Sequence, residues 1–461
     1  MVPRSPATVL VVHPYWDFWE TSVAGDLRTD RRLLLDQAIG ELSRYARVVD
    51  AGLVGSPEQA AQAAADAGPA DAVVVVCSMA VPATTGMAFL DQVPGLPVLL
   101  WALSRRASVD ATFSHASITA EGAPVGTPML ASALARQGRS FRVTCSTVDE
   151  PTGIDWEVAS AVAAGRLTHG RILVVGAPIS GYTTVVPPLA TGSGFAPAMA
   201  AVADTELAEL VARVDPQQVR LLREDLSHES ELAEDIDQVG LDRALATQVA
   251  LRALLALHQC TAGAFNCHGP GLRPNPDYGI APCLALGRLT TEGTPFTCTG
   301  DVLTAFAMSA VQELGHPTLY HEIEAIDYVN DEVVLSNSGE FDGRLCPTSK
   351  VPLVRNVWYE HDTINAPCAW FTIAPGPATI VGFAYAPDPC FIVAEGSFTG
   401  RSFPRTGMPN AGFRFDSGNV AQSWPRWARS GALHHAAATN ARIGQRIQAI
   451  AEHLGVSCVQ V

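Results

Sequence analysis

The chain has 461 residues, 48% of them hydrophobic and 16% charged, and 46 Asp+Glu against 30 Lys+Arg give a net charge of −16. This composition excludes a disordered chain. The acidic balance argues against a general nucleic-acid binder, because phosphate backbones are repelled. At about 150 residues per domain, the length suggests roughly three domains. The longest apolar run, residues 72–81, is broken by Ser78 and falls short of the roughly 20 residues needed to cross a bilayer, so no membrane partner is expected. Met1-Val2-Pro3-Arg4 leads straight into Thr8-Val9-Leu10-Val11-Val12, without the ordered segments of a signal peptide. The ten cysteines are scattered and form no C-x-x-C pair. They are read as reduced thiols, and a cytoplasmic location is expected.

In chain order, residues 8–13 read as a buried strand. Residues 31–46 read as a helix, with Leu34, Leu35, Ala38, Ile39 and Leu42 at helical spacing. A short strand is expected at 47–49, an Ala-rich helix at 57–67, a strand with four consecutive valines at 72–77 and another at 97–103. Strands buried on both faces appear as continuous apolar runs, and their alternation with helices predicts a parallel sheet covered by helices. The pattern restarts near residue 170. It gives a strand at 171–176, a long helix at 241–257, a strand at 263–267 running into His268-Gly269-Pro270-Gly271, and a helix at 302–314 with Asp301 as its N-cap. Beyond about 345, Pro and Gly punctuate short runs at 368–373, 378–385 and 390–394, and no long helix is expected before 443–454. The fold class expected is α/β. Two consecutive Rossmann-like parallel-sheet units cover 1–168 and 169–345, and a mainly β, barrel-like C-terminal domain with a final helix covers 346–461.

Ligands of open α/β sheets bind beyond the carboxyl ends of the strands. Cys267-His268, residues 298–301 and His321-Glu322 therefore fall in candidate site loops. Asp301, Glu322 and the distant pair His434-His435 make the oxygen-plus-imidazole set that suits Mn²⁺ or Mg²⁺. Plainer roles stay open beside this one. Asp301 can cap its helix, Glu322 can belong to a solvated acidic stretch with Glu324 and Asp327, and His268 can shape a tight turn. His434 and His435 can be one surface and one core histidine.

Several of these segments occur together in a known order. They are Cys283-Leu284-Ala285-Leu286-Gly287-Arg288-Leu289-Thr290-Thr291-Glu292-Gly293-Thr294-Pro295, then Cys298-Thr299-Gly300-Asp301-Val302-Leu303-Thr304-Ala305, then Val333-Val334-Leu335-Ser336-Asn337-Ser338-Gly339. The tail with His434-His435 and Leu454-Gly455-Val456 follows. Together they resemble the L-fucose isomerase/L-arabinose isomerase family, as does Gly126-Thr127-Pro128-Met129-Leu130 in the first unit. The resemblance extends over most of the chain and is strongest across 260–345 and 431–459.

It implies a strand through Cys283, and aldose–ketose isomerisation (or epimerisation) by metal-assisted proton transfer through an enediol. Carried over residue by residue, the metal ligands are Glu322 and His434 or His435, and the catalytic carboxylates are Glu322 and Asp301. The family's first metal-binding Glu falls on Thr299 and a family His on Asn337. A threonine hydroxyl is a poor ligand with no useful basicity near neutral pH. Mn²⁺ is the implied ion. Zn²⁺, Ni²⁺ or Co²⁺ would follow if His268 or His321 took part. His268, Thr299, Asn337 and Trp16 are expected to bind a small sugar or polyol-like substrate, and a homo-oligomer, trimer or hexamer, is implied. Two alternatives are a family offshoot doing lyase, hydrolase or transfer chemistry on a polyol-like substrate, and a non-catalytic sugar-binding protein.

Overall fold

The computed structural model describes residues 6–23, 25–188 and 195–461; residues 1–5, which carry part of the reading of the N-terminus, lie outside them. The chain divides into two compact units, Val2–Thr168 with Gln448–Gly455, and His169–Ile447 with Val456–Val461.

The first unit is a parallel sheet of β1 (Thr8–Pro14), β2 (Arg47–Val54), β3 (Ala72–Cys77), β4 (Val98–Ser104) and β5 (Arg142–Thr147), in the order β2-β1-β3-β4-β5. Every residue of β3 is buried, because helices cover both faces. Leu34, Leu35, Ala38 and Leu42 pack on one side, and Ala60, Leu90, Leu130 and Leu134 on the other. The helix expected at 31–46 runs instead over Leu27–Leu42. Asp26 accepts a hydrogen bond from the Thr29 amide and so fixes the start one turn earlier. The strand order reverses between β1 and β3, which opens a crevice at their carboxyl ends. There His13 Nε2 lies 2.7 Å from Ser78 Oγ, and Trp16 stacks on Phe18 at 4.6 Å between ring centroids.

The second unit begins with β6 (Arg171–Val175), β7 (Ala198–Val202), β8 (Ser230–Leu232), β9 (Ala262–Phe265) and β10 (Phe296–Thr297). It continues with β11 (Leu319–Asp327), β12 (Glu332–Ser336), β13 (Val351–Arg355), β14 (Pro367–Ala369) and β15 (Gly376–Tyr385). It ends with β16 (Pro389–Phe398), β17 (Ala411–Phe415), β18 (His435–Thr439) and β19 (Ser457–Gln460). Four strands form a second parallel sheet, β10-β9-β6-β7, and β14-β13-β8 form a small mixed one. The largest sheet runs β15-β18-β11-β12-β17-β16-β19, and β15 also pairs with β16. That extra pairing closes six antiparallel strands into a barrel-like ring and removes their edges. The ring takes β11 and β12 from ahead of residue 346, so the expected β region starts earlier in the chain.

Two expectations are corrected. Cys283 lies in a helix, Cys283–Thr291, and not in a strand. Its residues from Cys283 to Thr290 are all buried, and an apolar run buried on all sides has no periodicity by which to tell helix from strand. A ten-residue helix, Val420–Arg429, also precedes the last one. Pro425 inside it disguised the helical pattern.

Gly263 holds β9 and β10 together. A Cβ there would lie 2.0 Å from Cε1 of the buried Phe296 ring. Gly263→Ala should therefore destabilise the second unit by about 1–3 kcal/mol through overpacking, measured by urea unfolding. An unchanged midpoint would show that the ring has room to move.

Candidate active site

Asp301 ends the turn after β10 and opens helix Val302–Glu313. Its Oδ1 accepts from the Thr304 amide at 2.8 Å and its Oδ2 from Thr304 Oγ1 at 2.8 Å, so the N-cap role is real. The same Oδ2 lies 2.7 Å from His435 Nδ1, so the second role is real too.

His435 is the first residue of β18 and stands opposite Glu322 of β11 in the antiparallel register. Directly opposed side chains share a face of the sheet, and His435 Nε2 lies 3.1 Å from Glu322 Oε1. Three distant segments thus build one line of carboxylate, imidazole and carboxylate. Its inner end is sealed, since the Asp301 and His435 side chains are both 0% exposed. Its outer end is open, with the Glu322 side chain 35% exposed.

The electrostatics follow from this geometry. Burial by itself would lower the His435 pKa, but hydrogen bonds to Asp301 and Glu322 outweigh it and raise the ring to about 9. At neutral pH the ring is an imidazolium that donates from both nitrogens. Burial would raise Glu322, but the bond from His435 and the nearby imidazoles hold it below its ordinary value. Glu324 is pushed upward by burial and by the Glu322 charge.

His434 is exposed, with its ring 3.7 Å from that of His435 and edge-on to Tyr182 at 4.9 Å. The histidine pair is therefore one inward and one outward residue. Thr299 has φ +59°. Its hydroxyl donates to the Cys298 carbonyl at 2.8 Å and lies 3.4 Å from the Tyr320 hydroxyl, whose ring packs 4.7 Å from His435. Thr299 and Tyr320 thus form one wall beside the line. The Asn337 side chain is buried, and it donates to the carbonyls of Tyr320 and Glu340 and accepts from the Gly339 amide. Contrary to the expectation of a substrate contact, Asn337 braces the turn after β12. His321 alternates away from Glu322 along β11, and burial lowers it to about 4. His268 sits in the loop after β9, paired with Cys267. Trp16 belongs to the first unit.

Sequence reasoning missed Tyr320, Cys267, Cys298 and Glu340. Glu340 is buried and faces the Cys298 and Cys283 thiols, and burial pushes its carboxyl up to about 7. It follows Asn337-Ser338-Gly339, a polar stretch that resembles an exposed turn.

The donors present do not fit the divalent ion that the resemblance implies. Both His435 nitrogens are taken by carboxylates, Thr299 brings no charge and Asn337 is bound to main chain. Among the described residues, no group of three or more His, Cys, Asp or Glu is disposed to hold a metal ion. No helix among them is long and apolar enough to cross a membrane. Neither a family model nor a curated protein matches the chain. Fold and site define an α/β protein whose barrel-like sheet carries a buried, charged acid–base line.

Proposed function

We propose that this chain is a sugar or sugar-like aldose–ketose isomerase, or an epimerase, of the fucose/arabinose isomerase type, working through proton transfer at Asp301, His435 and Glu322. The observation that supports the reading is the line itself, in which a buried imidazolium is anchored by one carboxylate and presents a second carboxylate toward solvent. Glu322 is the base. It takes the proton from the carbon beside the carbonyl and returns it to the neighbouring carbon. His435 lies close enough to stabilise the enediolate oxygen with its positive charge, to give that oxygen a proton and to recover one from the adjacent hydroxyl. Asp301 fixes the ring orientation and keeps it charged. Such positioned acid–base help contributes about 10²–10⁴-fold. A charge held ready before the reaction needs no reorganisation during it.

The test is incubation of a pentose and hexose panel in ²H₂O, followed by NMR. Turnover of at least one sugar, with deuterium entering at C2, is expected. No exchange with any sugar would overturn the proposal. Measurable sugar binding with no exchange would point to the non-catalytic reading. Parallel arms with EDTA and with added Mn²⁺, Zn²⁺, Ni²⁺ or Co²⁺ ask about the ion, and activity strictly dependent on one of them would return it to the site.

A further inference from the structure

The parallel sheet of the second unit has its own switch point. Read from its edge as β7-β6-β9-β10, the strand order reverses between β6 and β9. The loops at the carboxyl ends of these two strands carry Gly176 and Asn266-Cys267-His268, the place where such sheets put chemistry. Asn266 ties the loops together by donating to the Ala177 carbonyl at 2.6 Å.

Cys267 is fully buried, and Cys298, just beyond β10, is 3% exposed. The Cys298 thiol donates a hydrogen bond to the Cys267 sulfur. On its other side, that sulfur is bonded by the imidazole of the exposed His268, with the Arg273 charge nearby. One side chain therefore separates this sulfur from solvent. The surroundings also single it out among the thiols. Burial pushes Cys77, Cys283, Cys368 and Cys390 up, whereas the Cys298 bond, and then the His268 pair, outweigh burial at Cys267 and bring it down. Thiolate, not thiol, is the oxidisable nucleophile.

Cys298 also begins the turn that ends in Asp301. The turn is tight, with Thr299 at φ +59° and Gly300 at φ +76°, and a Cβ on Gly300 would lie 2.8 Å from Pro178 Cα. A pull on Cys298 is thus delivered within three residues to the carboxylate that holds His435.

We propose that Cys267 and Cys298 form a peroxide-oxidised dithiol, with Cys267 the attacking thiolate and Cys298 the resolving thiol, and that closing the disulfide draws the 298–301 turn away from His435. The Cys267 thiolate attacks one oxygen of hydrogen peroxide. A sulfur–oxygen bond forms and the oxygen–oxygen bond breaks. The departing hydroxide takes a proton from His268 and leaves as water, so Cys267 becomes a sulfenic acid. The Cys298 sulfur then attacks the Cys267 sulfur. The disulfide forms, the sulfur–oxygen bond breaks, and the hydroxide leaves as water with the Cys298 proton. Two thiols have lost two electrons, and one peroxide has become two waters.

The test uses the whole protein with stoichiometric hydrogen peroxide and peptide mass spectrometry. A 267–298 cross-link is expected, removed by dithiothreitol. In Cys298→Ser, a dimedone adduct should accumulate on Cys267. In Cys283→Ser, the cross-link should still form. Absence of both the cross-link and the Cys267 adduct, or faster oxidation at any other buried thiol, would overturn the proposal. The link to His435 rests on the proposed acid–base reading, and there oxidation should lower sugar exchange at least tenfold, reversibly. The mass measurement does not depend on turnover, so failure of the sugar reaction and failure of the dithiol are seen separately. A cross-link that forms with sugar exchange unchanged would overturn the coupling.

Discussion

Glu322→Gln should lower deuterium exchange into the sugar about 10²–10⁴-fold, as expected for loss of a positioned base, with the loss in kcat and little change in KM. Glutamine keeps the length, the shape and an oxygen to accept from His435, but it cannot take a proton. The fall belongs in kcat because the lost interaction is made with the moving proton and not with the resting sugar. Stability should change little, because the side chain is 35% exposed and its removal strands no fully buried partner; His435 keeps Asp301. Glu322→Asp, which keeps the base but draws it back, should fall between the two. Glu324→Gln is the control. Glu324 is exposed on the same strand and touched by the Glu322 charge. If both Gln variants lose activity equally, β11 contributes only a field of negative charge. If neither does, Glu322 is not the base.

The parts of this molecule that could be read from sequence are those in which the chain's chemistry acts locally. The valines of β3 announce a strand covered on both faces, and the model buries all of them. Asp301 announces a cap, and it caps. The meeting of Glu322 with His435 is a different matter. It depends on the register Glu322↔His435 between strands more than a hundred residues apart. No local pattern encodes such a register, so only the resemblance suggested it. Burial caused the other gaps. Asn337 resembled a ligand-facing residue, but its amide is consumed by main chain. Glu340, in a polar stretch, lies fully inside. The run from Cys283 to Thr290 is hidden all round and so loses the alternation that would have marked it as a helix.

The pH dependence of stability tests the charge on His435 directly. In the folded chain the ring titrates at about 9, above its ordinary 6.5, because two carboxylates outweigh burial. A group whose pKa is raised on folding binds its proton more tightly in the native state. Its contribution is therefore complete below pH 6.5, declines above it and is lost as the pH rises through about 9. Urea midpoints of the wild-type protein should fall across that window. In His435→Gln the starting stability should be lower by about 3–5 kcal/mol, the usual cost of leaving a buried charge without its partner. The slope between pH 6.5 and 9 should flatten, since the titrating group is gone. Asp301→Asn should also weaken the fold, by removing the charge on the inner side of the ring. The double variant should lose less than the sum of the two, because each single change strands the same partner. A wild-type midpoint that stays level through this window would mean that the imidazole is neutral at pH 7. Asp301 would then hold it by an ordinary hydrogen bond, and the proposed enediolate would lose its stabilising charge.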